Sequence, residues 1–391
     1  MRDKINMNSA LKNYAAYVNN KIDVCEISLN QYISTDNILQ NKQGIECAAS
    51  LPIQGGKVTA FKKGDILLAN IRPYLKKIWY AQFDGGCSAD VLAIRANAKI
   101  DSHFLFYALF RDDFFIHAMK GSKGTKMPRG DKTQIMEFKI PVFAPQTQQS
   151  ITTVLSALDK KIALNKQINA RLEEMAKTLY DYWFVQFDFP DANGKPYKSS
   201  GGEMVFDETL KREIPKGWES VELQSCLAKV PSTVKISNKD IKDFGKYPVI
   251  DQSQDFICGF TDDEKSILNP QDAHIIFGDH TRIVKLVNFK YARGADGTQV
   301  ILSNNERMPN YLFYQIINQI DLSSYGYARH FKFLKEFPII LPDKDISRKY
   351  YEIVNYFFIK IRNNIKQNHH LTQLRDFLLP MLMNGQVSVA E

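Results

Sequence analysis

Lys120, Lys123, Lys126 and Arg129 stand close together in a segment punctuated by Gly121, Gly124 and Gly130. Glycines let a backbone approach a phosphate closely, and cations around them can neutralise phosphates along a strand. Lysine acts there as a point charge. Arginine can also donate two hydrogen bonds to a guanine edge in the major groove. A second basic set, Arg72, Lys76 and Lys77, follows a strand expected at residues 65–69. The second half of the chain carries a counterpart set: Arg282, Lys285 and Arg293, then Tyr327, Arg329, His330 and Lys332 after Gly326. The chemistry these residue types support is binding of a nucleic acid, with arginines able to read bases.

Motifs for covalent chemistry are missing from the sequence. There is no Walker A motif, no Gly-x-Gly-x-x-Gly after a strand, no Asn-Pro-Pro-Tyr-like methyltransferase motif and no His-Glu-x-x-His. Asp112 and Asp113 read as the solvated face of a helix. His369 and His370 read as an exposed or packing pair, and Asp262, Asp263 and Glu264 as the start of a turn or helix. No catalytic residue and no metal ligand is assigned. The five cysteines, Cys25, Cys47, Cys87, Cys226 and Cys258, are widely spaced and lack a Cys-x-x-Cys. They read as reduced, mostly buried thiols.

The 391 residues are enough for two domains with connecting elements, and 44% hydrophobic and 12% aromatic content can fill their cores. A net charge of +8 modestly favours an anionic partner. No stretch approaches the ~20 apolar residues a bilayer crossing needs, and the N-terminus has no apolar run, so a soluble cytoplasmic protein is expected.

The elements that must position the basic residues occur twice. Residues 1–145 read as a mixed α/β domain, with strands at 65–69 and 90–94, a helix at 103–115 and a strand at 138–142. From residue 146 to 186 the period changes to heptads. With Ile151 at position a, the a series continues through Leu158, Asn165, Leu172 and Leu179, and the d series is Val154, Lys161, Ile168, Met175 and Tyr182. At 1.5 Å per residue such a helix is roughly 55–60 Å long. Residues 187–343 form a second mixed domain, and residues 344–391 repeat the heptads. There Asn364 again falls at a and Lys360 at d, at the same offset that relates Leu172 to Leu371 and Leu179 to Leu378. Asn165, Lys161, Asn364 and Lys360 are therefore expected to fix register, since a buried polar seam residue penalises other alignments. Pro380 is expected to bend or end the second helix, with Gly385 as its cap.

The globular halves match more loosely. Residues 65–72 align with 274–282, 103–107 with 310–314, and Glu137-Phe138 with Glu336-Phe337. The expected fold is α+β: two recognition domains separated by two long antiparallel coiled-coil helices, in a pseudo-twofold internal repeat.

This order resembles the specificity subunit of type I restriction–modification systems. Local sequences carry the resemblance: Gly64-Asp65-Ile66-Leu67, Lys126-Met127-Pro128-Arg129-Gly130, Ile140-Pro141-Val142-Phe143-Ala144-Pro145-Gln146, Ile214-Pro215-Lys216-Gly217-Trp218-Glu219 and Leu378-Leu379-Pro380-Met381-Leu382-Met383-Asn384-Gly385-Gln386. No equivalent of Pro215-Lys216-Gly217-Trp218 opens the first domain. The resemblance implies two target-recognition domains, each reading one half of a split sequence in double-stranded DNA. It also implies two methyltransferase subunits and two restriction (motor–nuclease) subunits as partners, no membrane association, and S-adenosylmethionine, ATP and Mg on those partners rather than on this chain. The chain itself would be non-catalytic. The alternatives are a stand-alone repeat-built DNA-binding protein and a coiled-coil scaffold without restriction partners. A catalytic DNA methyltransferase is disfavoured by the missing motifs.

Overall fold

The structure, a computed structural model, describes residues 6–52, 55–124, 126–326 and 329–389. The chain forms two compact units: unit one is Met1–Ile162 with His369–Glu391, and unit two is Ala163–Asn368. The divisions fall inside the two long helices rather than at their ends.

Unit one contains β1 (Asn6–Ala10), β2 (Ala15–Tyr17), β3 (Lys21–Asp23), β4 (Tyr32–Ile33), β5 (Lys57–Phe61), β6 (Ile66–Ala69), β7 (Ile78–Tyr80), β8 (Gly85–Cys87) and β9 (Val91–Ala96). Helices α1 (Ser102–Leu109), α2 (Asp112–Lys120) and α3 (Lys132–Met136) follow, and β10 (Lys139–Val142) pairs with β1. The sheet orders are β2-β9-β6-β7 and β3-β5-β8-β4. β6 is wholly apolar because both of its faces are covered: Ile66 and Leu68 enter one core with Phe104, while Leu67 enters another with Phe61 and Trp79. Two glycines in β8 allow its neighbours to close in. A Cβ on Gly85 would lie 2.2 Å from the Gln31 carbonyl oxygen, and one on Gly86 would lie 2.5 Å from Val58 Cγ2.

The single helix expected at 103–115 is two helices. Phe110 closes α1, and Arg111 is extended (ψ 148°) before α2 begins. Residues 104 to 110 are all buried, and the break returns Phe114 and Phe115 to the same core. Periodicity does not reveal such a turn within an apolar run.

In unit two the central strands are β14 (Tyr247–Ile250), β16 (Ile267–Leu268), β17 (His274–Gly278), β18 (Val284–Val287), β19 (Tyr291–Arg293) and β20 (Thr298–Ile301). Three more strands precede β14: β11 (Met204–Asp207), β12 (Arg212–Pro215) and β13 (Glu219–Glu222). β15 (Gly259–Thr261) edges β14, and β21 (Pro338–Leu341) pairs with β13 after α5 (Asn310–Gln319) and α6 (His330–Lys335). The topology of unit one recurs. β17 lies between β18 and β20 as β6 lies between β7 and β9. β19 has one parallel and one antiparallel neighbour, as β8 has. Even the two-sided burial repeats, with Ile275 and Phe277 in one core and Ile276 in another. The repeat is thus one of strand pairing and burial as well as of sequence.

The long helices are α4 (Pro145–Tyr180), extended by a π-helical turn at Asp181–Val185, and α7 (Lys344–Met383). Pro380 does not end α7. The chain leaves the helix at Gly385 (φ 65°), where the Gly385 amide donates to Leu382 and the Gln386 amide to Met381. Within unit two the helices are antiparallel: Asn165 Nδ2 donates to Gln367 Oε1 (2.7 Å) and Asn368 Oδ1 (2.8 Å), Asn364 Nδ2 to Asn169 Oδ1 (2.8 Å), and the Tyr350 hydroxyl to the Ala176 carbonyl (3.1 Å).

The heptad phase differs from expectation. Ile151, Leu155, Asn165 and Ala176 are buried on α4, with Leu158, Ile162, Asn169 and Leu172 half-buried between them. The spacing is therefore four then three, whereas position a was expected to be followed by three then four. The expected a positions are seam positions, but the other seam row lies one residue beyond the expected d row. Lys161 and Lys360 are accordingly exposed and not in the seam, as are Met175 and Ile353. Asn165 and Asn364 are buried polar positions of the seam.

All five cysteines are free. Cys87 and Cys226 are buried, but Cys25 and Cys47 are exposed, so the thiols are not mostly buried. Among the described residues no helix is long and apolar enough to cross a membrane, and no cluster of side chains has the make-up of a metal site.

Candidate nucleic-acid interface

In unit one, three backbone segments cross where β6 ends. The Asn70 amide donates to the Asp90 carbonyl (2.8 Å), the Gly130 amide to the Asn70 carbonyl (3.0 Å), and the Arg72 amide to the Pro128 carbonyl (2.7 Å). Ile71 and Arg129 form an antiparallel bridge, so the two basic segments separated in sequence converge here. A second bridge closes the loop: Lys123 and Arg129 exchange amide–carbonyl bonds of 3.0 and 2.9 Å. At Gly130 the packing is close: a Cβ there would lie 2.9 Å from Asn70 Oδ1 and 3.0 Å from Ile135 Cδ1. Asp131 then caps α3 by accepting from the Thr133 and Gln134 amides, both at 2.9 Å.

This scaffold leaves Arg72, Lys120, Lys123, Lys126 and Arg129 exposed. Arg72 and Lys76 both take left-handed conformations (φ 52° and 50°) around a tight turn at Pro73–Leu75. Lys76 shares Asp112 with Lys42, at 3.1 and 2.7 Å. Burial works against ionisation of Asp112, but the two lysines outweigh it and hold its carboxyl below the usual range. Asp112 is therefore more than a solvated face. Lys77 does not fit the expectation of a DNA contact: its ammonium donates to the Thr35 carbonyl at 2.5 Å, and burial lowers its pKa. Arg129 meets Asp90 at 3.1 Å.

Unit two builds the same crossing from different side chains. The Asp279 amide donates to the Gly297 carbonyl (2.7 Å), and the His330 amide donates to the Asp279 carbonyl (2.9 Å). Asp279 thus stands where Asn70 stands, Gly297 where Asp90 stands, His330 where Gly130 stands, and Arg329 where Arg129 stands. Here the capping carboxylate comes from the crossing itself, as Asp279 Oδ1 accepts the Phe331 amide at 2.8 Å. Arg282 (φ 62°), Arg329 and Lys332 are exposed. Arg293 is half-buried, and its Nε has no hydrogen-bond partner among the described residues. Tyr327 lies outside the described residues.

Two expected contacts are corrected. Lys285 is buried at 5% exposure, and its ammonium donates to the Asp251 (2.8 Å) and Asp255 (2.5 Å) carbonyls. It closes a loop over the sheet instead of facing a ligand. His330 is buried at 3%, with Nδ1 2.9 Å from the Asp279 carbonyl and Nε2 3.1 Å from that of Gly326. It secures the crossing, and its neighbours Arg329 and Lys332 carry the accessible charge. Asn70, Asp90 and Asp279 were not anticipated. The pattern Arg-x-x-Lys followed by Glu-Phe, at 129–138 and 329–337, was the signal that could have equated the two arginines.

A family model described as the type I restriction modification DNA specificity domain matches residues 5–174 and 215–373. The chain belongs to that family. DNA specificity within a type I restriction–modification system is accordingly its task. Among relatives of this specificity family, the chain is similar to the type I restriction enzyme MjaIX specificity subunit of Methanocaldococcus jannaschii, at 29% identity over 85% of this chain and 79% of that one. It is also similar to the HindI specificity subunit of Haemophilus influenzae, at 27% identity over 91% of this chain and 94% of that one. The crystal structure of a type I specificity subunit from M. genitalium shares the fold, with a TM-score of 0.52 at 16% identity, covering 97% and 96% of the two chains.

For a specificity-family protein the two crossings are chemically apt. Unit one presents the exposed Arg129 beside exposed lysines, and unit two presents the exposed Arg329 beside Lys332, each on a backbone locked by hydrogen bonds. The lysines suit phosphates, and the arginine's planar fork suits a base edge.

Proposed function

We propose that this chain reads a two-part sequence in double-stranded DNA, one part through each unit, and joins two methyltransferase and two restriction subunits to that site. The observation that carries the reading is the crossing built twice, with Arg129 and Arg329 at equivalent positions and different side chains around them. A repeated frame supports two readings of one kind, and differing neighbours make the two readings unlike. In this reading the DNA contacts come from Arg72, Lys120, Lys123, Lys126 and Arg129 in unit one, and from Arg282, Arg329 and Lys332 in unit two. S-adenosylmethionine, ATP and Mg belong to the partner subunits, the chain neither cuts nor methylates alone, and the complex works in the cytoplasm.

The test is to assemble the chain with its methyltransferase partner, weigh the complex, and map methyladenine in DNA exposed to it. A 1:2 complex that methylates one split motif is expected. Methylation at a single unbroken motif, or a chain that modifies DNA alone, would overturn the proposal.

A further inference from the structure

Asp90 and Arg129 lie on the two backbone segments that flank Asn70 and Ile71, and both segments are fixed by main-chain hydrogen bonds. Their side chains meet at 3.1 Å, yet the arginine side chain is 61% exposed and the aspartate 38%. Among the described residues neither side chain has another ion-pair partner. Most of the guanidinium donors and one carboxylate oxygen remain open to a ligand.

We infer that Asp90 and Arg129 act together as the reader of a G·C base pair in the DNA half-site bound by unit one. The inference rests on the DNA-reading role proposed above. A guanidinium already facing a carboxylate offers less net charge to a phosphate than a bare lysine does, so the pair is poorly suited to holding backbone. It is well suited to a base edge. Across the major groove a G·C pair presents two acceptors on guanine, N7 and O6, and then the amino donor of cytosine. Arg129 supplies donors and Asp90 an acceptor side by side, in the same order. An A·T pair places the adenine amino donor against the guanidinium instead, which mismatches.

The arrangement belongs to unit one only. Gly297 occupies the place of Asp90 in unit two, at φ 70°, and a Cβ there would lie 2.6 Å from Gln252 Nε2. A side chain at that position would be strained by the positive φ and would have to displace the Gln252 and His280 side chains. Arg329 has no carboxylate within ion-pair distance among the described residues. The equivalent arginine therefore reads its half-site without an acidic partner.

The experiment uses the assembled modification complex with Arg129→Ala, Arg129→Lys and Asp90→Asn. Binding is measured on duplexes carrying each base pair at every position of both half-sites, across a salt series. Arg129→Ala should cost about 5- to 150-fold of discrimination at one G·C position in one half-site and leave the other half-site unchanged. Arg129→Lys should retain affinity while losing most of that discrimination, because an ammonium lacks the fork. Asp90→Asn should bind non-specific DNA as tightly or more tightly, with weaker rejection of A·T at the same position. Uniform weakening on all sequences, with the salt slope falling by about one, would reduce Arg129 to a phosphate contact. Unchanged motif and affinity in all three variants would make the pair an ordinary surface ion pair. Either result overturns the inference while the two-part motif stands. A wild-type complex with no sequence preference overturns the DNA-reading role and the inference together.

Discussion

Burial holds the His274 imidazole neutral, pushing its pKa from 6.5 down to about 4, with Nδ1 3.0 Å from the Tyr291 hydroxyl. The unfolded chain lets the same ring take up a proton near 6.5, so between about pH 6.5 and 4 the unfolded state binds more protons than the folded one. Stability therefore falls as pH drops through that window, by no more than about 3 kcal/mol from this group. Unfolding midpoints of the wild type and His274→Gln, compared at pH 7 and pH 4.5, should differ in slope, the variant losing less on acidification. Equal losses would show that the ring is not held neutral. The same residue-scale lesson separates the basic residues of unit two. Lys285 and Arg282 both follow β17 in sequence, but only the exposed Arg282 is open to a ligand. Val284-Lys285-Leu286-Val287 places a lysine in a strand whose alternation predicts an outward side chain, and the carbonyls that hold it inward come from residues 251 and 255, far away in sequence.

At the scale of elements, the seam between α4 and α7 was legible in period and in its two asparagines, but not in phase. A seven-residue repeat fixes one seam row; whether the other lies three or four residues on depends on which neighbours face a partner. Lys161 and Lys360 were read as polar seam residues, when their charge marked the outer surface. Asn165 and Asn364 are buried, and each donates its Nδ2 to amide oxygens of the other helix, while Asn165 Oδ1 has no partner among the described residues. The paired substitutions Lys360→Ala and Ile361→Ala test the phase within unit two. Ile361 is 6% exposed in the unit-two core, so its truncation should cost about 2–4 kcal/mol in denaturant unfolding. Lys360→Ala should stay within about 0.5 kcal/mol. The reverse ranking would restore the expected phase. The strands were legible for the opposite reason. β6 is apolar throughout, and β17 is apolar at Ile275-Ile276-Phe277, because both faces are covered, and such a continuous run stands out without any alternation. The crossing at Asn70 and Asp279 was not legible, since it consists of main-chain hydrogen bonds between segments widely separated in sequence.

At the scale of the whole chain, unit one is completed by the chain's far end. Leu379, Leu382 and Met383 lie in the same core as Phe104, Phe110 and Leu155. Arg375 reinforces the join, meeting Asp159 at 2.9 Å and covering the Phe110 ring at 4.8 Å, while Asp159 also accepts from the Tyr107 hydroxyl at 2.7 Å. A chain ending at Asn368 loses all of these groups at once. Truncating one buried Leu or Met costs about 2–5 kcal/mol, and a domain's whole stability is about 5–15 kcal/mol, so three such losses together are comparable with the whole stability of a typical unit. Residues 163–368 would all remain, and with them the core of unit two. Hydrogen exchange followed by mass spectrometry should then show lost protection at 66–69 and 104–118, with protection at 275–277 and 311–317 retained. A milder variant, Leu379→Ala with Leu382→Ala, should show the same ordering with partial loss. Full protection of unit one in the shortened chain would mean that its core closes without the final helix, and that the two ends of this sequence fold independently. The expected result is the opposite: the first unit reaches its native state only once the segment carrying Leu379, Leu382 and Met383 has been made.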